Sequence, residues 1–119
     1  MRLRLTTAAV LAGLALALPA GATAPGPGSV AITYASQKLH LRGVQSLIVL
    51  RSKIDRRWTL VDGFYQKPGK VGLWALWLNQ RSGRWVVVFG GADKTATAPA
   101  SKVPCDIWPA FSEPACQPG

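Results

Sequence analysis

The stretch Val71–Asn79, VGLWALWLN, is apolar on both sides of a strand. Alternate residues of a strand point to opposite faces, so Leu73, Ala75 and Trp77 share one face and Trp74, Leu76 and Leu78 the other. Turn signals bracket it. In Lys67-Pro68-Gly69-Lys70 the proline presets the second turn position and the glycine supplies positive φ at the third. In Gln80-Arg81-Ser82-Gly83, the final glycine suits a left-handed conformation. A single open sheet would leave one apolar face of this strand wet, so the sequence demands cover on both sides.

Three further segments read as strands: SLIVLRSKI (46–54), WTLVDGFY (58–65) and RWVVVFG (84–90). With Asp55-Arg56-Arg57 as the first turn, four strands on short connections predict an antiparallel meander. On the last strand Trp85, Val87 and Phe89 oppose Val86 and Val88. The cover must come from the N-terminal segment, the C-terminal segment or another chain. Within residues 29–41, Val30, Ile32 and Thr33 favour a strand. Ser29 as a cap and a stripe of Ile32, Ala35 and Leu39 favour a short helix ended by Gly43, and the helix is the preferred reading. The fold class expected is α+β: a short N-terminal helix packed on a four-stranded antiparallel meander, with a Pro-rich, disulfide-closed C-terminal cap.

The first residues have a different character. Arg2 and Arg4 precede an apolar run from Leu5 to Leu18, then Pro19 and small residues. That order is the order of a secretory signal peptide over residues 1–22. Ala20-Gly21-Ala22 and Ala22-Thr23-Ala24 both offer a cleavage site. The cut after Ala22 is preferred, because Pro25 hinders the second. The run of about 14 residues falls short of the roughly 20 that a spanning helix needs, so no transmembrane segment is expected after cleavage. Residues 23–28 then read as a linker, and residues 29–119 as one small secreted domain. Such a domain buries a modest fraction of its surface and gains from a covalent staple. Cys105 and Cys116 are the only cysteines, and in an exported chain they predict one disulfide. Closing a loop of about 12 residues is worth just under roughly 3 kcal/mol in the chain-entropy model. Residues 92–104, rich in Ala, Thr, Pro and Ser, read as a loose surface loop. In the cysteine loop 105–116, prolines exclude a long helix or interior strand, while Ile107, Trp108 and Phe111 are apolar enough to dock on the sheet.

Chemistry-bearing residues are sparse. His40 is the single histidine, and no G-x-S-x-G elbow accompanies it. The carboxylates Asp55, Asp62, Asp93, Asp106 and Glu113 form no glycosidase dyad or ligand spacing. Asp62 interrupts an apolar strand, where it either pairs with an arginine of a neighbouring strand or faces solvent. No catalytic, metal or cofactor site is expected. After loss of Arg2 and Arg4, twelve cationic side chains stand against five carboxylates, about +7. Outside a cell that charge favours an anionic polymer as partner. Arg56-Arg57-Trp58 and Arg84-Trp85 set cations beside indoles. The candidate binding surface is Arg56, Arg57, Trp58, Trp74, Trp77, Arg84 and Trp108. Motifs for specific nucleic-acid recognition are absent.

The segments W-T-L-V-D-G, W-A-L-W-L, G-R-W-V-V-V and V-P-C-D-I-W-P-A-F-S-E-P-A-C, across residues 46–116, resemble short exported proteins of unassigned function from high-GC Gram-positive bacteria. The layout is also similar to cystatin-like and NTF2-like rolls, a likeness of fold that implies no activity. The function expected is that of an exported, non-enzymatic protein, secreted or held at the cell envelope, binding anionic cell-wall polymer. The alternative is a protein-interaction or inhibitor module using the Cys105–Cys116 loop. Either a monomer or a homodimer fits.

Overall fold

Among the described residues Pro27 opens the one α-helix, α1 (Pro27–Gln37), at the position where its fixed φ and missing N–H cost nothing. The computed structural model describes residues 24–99 and 102–107. The expected signal peptide, Trp108, Glu113 and Cys116 lie outside the described residues. The N-cap is Gly26, without a side-chain cap, rather than Ser29, and Pro27 and Gly28 belong to the helix instead of the linker. The helix ends at Gln37, short of the predicted Leu41, and His40 at φ 56° turns the chain toward the sheet. Eleven residues with no capping side chain are marginal as an isolated helix. Packing stabilises this one: Ala31 and Ala35 are fully buried, and their small side chains let the helix lie close against the strands.

Four strands follow in chain order: β1 (Arg42–Arg51), β2 (Trp58–Lys67), β3 (Lys70–Arg81) and β4 (Arg84–Ala92). They form one antiparallel sheet in the order β1-β2-β3-β4, the predicted meander. Gly69 and Gly83 both take positive φ, 71° and 78°, in the two tight turns where the sequence calls for it. The first strand begins four residues earlier than predicted. Gly43 sits inside β1 at φ 58°, within a register irregularity between Arg42 and Gln45, so it bulges a strand instead of ending a helix.

Different parts of the chain cover the two apolar faces, the second only in part. On the first, Val61, Tyr65, Trp74, Leu76 and Leu78 pack with Ala31 and Ala35 of α1, and Trp85 and Val87 lie at the margin. On the second, Trp77 is buried with Ala98, Val103 and Ile107, flanked by Trp58, Leu60, Ala75 and Phe89. The split of β3 into two faces holds as predicted. The split of β4 does not: Trp77 pairs with Phe89 while Leu78 pairs with Val87, which leaves Val88 as an extra residue. That bulge carries Phe89 to the face opposite Trp85 and Val87.

The expected loose loop at 92–104 is also corrected. After a 3-10 turn at Asp93–Thr95, residues 96–99 and 102–107 lie on the second face as a strap. Ala98 and Val103 are buried there, and a second 3-10 turn at Cys105–Ile107 anchors it. Trp77 Nε1 donates to the Ile107 carbonyl at 3.1 Å. At the far side of the strap, Asp106 accepts from Ser52 Oγ at 2.8 Å and from the Lys53 N–H at 2.6 Å. Ser52 is fully buried, and its Oγ in turn accepts from the Ile54 and Asp55 amides at 3.1 and 2.9 Å. Among the described residues, no helix is long and apolar enough to cross a membrane.

Candidate functional site

Cations scattered along the sequence converge because the sheet is an antiparallel meander. The end of β1, the start of β2, the end of β3 and the start of β4 all lie at one end of the sheet. That end carries Arg51, Lys53, Arg56, Arg57, Arg81 and Arg84, against the carboxylates Asp55 and Asp106. The opposite end carries Lys38, Arg42, Lys67, Lys70 and Lys94, where Asp93 takes up Lys67 at 3.2 Å. Charge is thus present at both ends, but five arginines gather at one of them. Arginine's planar fork matches phosphate, sulfate and carboxylate oxygens in a way a lysine does not.

Within this end the side chains differ in how firmly they are held. Arg51 Nε donates to the Arg56 carbonyl at 2.7 Å, and its guanidinium lies over Trp85, 5.2 Å from the ring centroid. Trp85 thereby gains a cation over its ring. Arg57 forks onto Asp55, with Nε and Nη2 at 3.0 and 2.8 Å from the two oxygens. That pairing holds the Asp55 carboxyl below its ordinary range and raises Arg57. Among the described residues no carboxylate forms an ion pair with Arg56 or Arg84. Both are exposed and open to an incoming anion.

Of the residues expected at the binding surface, Arg56, Arg57 and Arg84 are at this end. Trp58 begins β2 half-buried, stacked on Phe89 with centroids 6.1 Å apart and planes 3° apart. Trp74 and Trp77 are not surface residues. They are 1% and 2% exposed, one on each face, and each indole N–H is bound, Trp74 Nε1 to the Phe64 carbonyl at 3.0 Å. Arg51, Lys53 and Arg81 were missed by sequence reasoning. Their only signal is that each lies within two residues of a strand end.

The described carboxylates do different things. Asp93, just past β4, accepts from the Tyr65 hydroxyl and Lys67, and from the Leu73 N–H at 3.3 Å. Tyr65 does most to hold its carboxyl below the usual range, with Lys67 and the Leu73 amide assisting. A depressed folded-state pKa stabilises the fold above the unfolded value, about 3.9, and that stabilisation is lost as pH falls through the folded value. The melting temperature, followed by circular dichroism from pH 6 to 2, is therefore expected to drop on the acid side, and less steeply in Asp93→Asn. An equally steep drop in the variant would remove Asp93 from the account. Asp62 has the opposite sign: burial raises its carboxyl, with the Ile48 amide partly offsetting. Its cross-strand partners are Ile48 and Ala75, and of the two expectations for it, an arginine partner or solvent, the ion pair is absent among the described residues.

No group of three His, Cys, Asp or Glu able to hold a metal occurs among the described residues. His40 is exposed between α1 and β1.

Protein-family models, curated proteins and solved structures yield no match to this chain.

Proposed function

We propose that this chain is an exported, non-catalytic binding protein whose arginine-lined sheet end engages an anionic polymer of the cell envelope. The observation that carries the reading is the convergence of Arg51, Arg56, Arg57, Arg81 and Arg84 on one end of a small basic domain. A polymer of regularly spaced anions can meet several such forks at once, and each contact releases counterions, so affinity falls with salt. The export signal supports the location, since cell-wall polyanions lie outside. A Cys105–Cys116 staple belongs to this proposal, Cys105 opening the turn that carries Asp106. The alternative, an interaction module built on the cysteine loop, has no observation in its favour, because most of that loop lies outside the described residues.

The test is retention on immobilised polyphosphate across a salt series. The protein is expected to bind and to elute with added salt. Arg56→Ser combined with Arg84→Ser should weaken binding at least about tenfold and lower the salt slope by about 2. Lys70→Ser with Lys94→Ser, an equal charge loss at the opposite end, should change affinity less than about threefold. Equal losses from both pairs would remove the site, and retention indifferent to salt would remove the polyanion reading.

A further inference from the structure

The strap covers only part of the second sheet face. Beyond it, Leu47, Phe64 and Leu73 remain 62%, 37% and 56% exposed. With Ala75 beneath them and Ala96 of the strap as a side wall, they line an open pocket of about 210 Å³. Asp62 is its only ionisable lining residue. A carboxylate in the middle of an apolar sheet face is costly unless it is paired. Among the described residues no cation pairs with it: the residues directly across from Asp62 are Ile48 and Ala75, and its near neighbours on the same face of β2 are Leu60 and Phe64. Its Oδ1 is buried and has no hydrogen-bond partner among the described residues. Burial disfavours the charged form, as the raised pKa reflects. A hydrophobic residue at this position would pack better against Leu47, Phe64 and Leu73. The described residues thus give the Asp62 carboxylate one backbone amide, from Ile48, and no cation.

We propose that this pocket binds a monocationic amine with an apolar body about the size of one aromatic ring, its ammonium on the Asp62 carboxylate. The size follows from the volume, since a cavity of roughly 150 Å³ lined by apolar side chains holds benzene. Charge follows from the carboxylate, and the apolar body from Leu47, Phe64 and Leu73. The terminal torsion of an aspartate is soft and roughly two-fold, so a turn of the carboxylate presents an oxygen to the pocket. The arginine end plays no part in this site, and the two readings stand or fall separately.

The experiment is an NMR titration of the exported protein with 2-phenylethylammonium at pH 7, with 2-phenylethanol as the neutral isostere and phenylacetate as the anion. Saturable shifts are expected at the amides of Leu47, Phe64, Leu73 and Ala96. The alcohol should bind at least about tenfold more weakly, because it lacks the charge-assisted hydrogen bond. Asp62→Asn should bring the ammonium down to the level of the alcohol. Ala96→Leu, which narrows the pocket and leaves Asp62 in place, should abolish both, and it decides the matter if the asparagine variant does not fold. Equal affinity for ammonium and alcohol, unchanged binding in Asp62→Asn, stronger binding of phenylacetate, shifts confined to other surfaces, or no shifts at all would each overturn the proposal.

Discussion

Replacing Trp74 by alanine is expected to cost about 3–5 kcal/mol and to lower the unfolding midpoint sharply. The indole is 1% exposed in the centre of the cluster under α1, between Val61, Tyr65 and Leu76. Its removal creates a cavity that the surrounding strands cannot close. It also takes the Nε1 donor from the Phe64 carbonyl. A domain of this size has a total stability of roughly 5–15 kcal/mol, so the loss is a large share of the whole. Trp74→Phe keeps most of the volume and loses the hydrogen bond, with an expected cost of about 1–2 kcal/mol. Chemical denaturation followed by circular dichroism checks both. An unchanged midpoint in the alanine variant would show that the helix does not rest on this face.

Asp106→Ala is expected to release the strap while the helix side of the sheet stays folded. The carboxylate holds two donors at once, Ser52 Oγ and the Lys53 N–H, and Ser52 itself organises the β1–β2 turn. Leaving these donors without an acceptor costs about 1–3 kcal/mol. The effect should be local. Hydrogen exchange is expected to rise across residues 96–107 and around Trp77, whose indole N–H is bound to the strap at Ile107, with little change in α1. Asp106→Asn keeps one acceptor oxygen and should lose less. A uniform rise in exchange through both faces would mean that strap and helix unfold as one unit, contrary to the separate clusters on the two faces.

Much of the meander was legible in residues that act locally. The turn at Pro68-Gly69 and the turn at Ser82-Gly83 depend on backbone preferences of the residues in them, so their positions follow from the sequence. The two-face division of β3 followed from alternation alone. Alternation failed on β4 because a bulge shifts parity, and whether Val88 is skipped depends on its pairing with β3. The helix was harder to read because Val30, Ile32 and Thr33 have strand preferences that its buried Ala31 and Ala35 outweigh only once there is a sheet to pack against. The strap gave no periodic signal, since it packs as irregular chain through single residues such as Ala98 and Val103.

For the candidate sites the same division holds. Arg56, Arg57 and Arg84 were marked in the sequence by the tryptophans beside them, and Asp62 by its place in an apolar strand. Trp74 and Trp77, expected as candidate contacts, are core, because only the sheet's two covers decide which indoles remain exposed.

By itself, then, the sequence determined that this chain makes four short-linked strands and that its central strand needs cover on both faces, because turn chemistry and side-chain alternation are local properties. The tertiary structure decided what covers each face: α1 on one, the Asp106-anchored strap on part of the other. It also brought five arginines to one end and left Asp62 facing an open pocket. These are consequences of residues far apart in sequence meeting in space, and no local preference encodes such meetings.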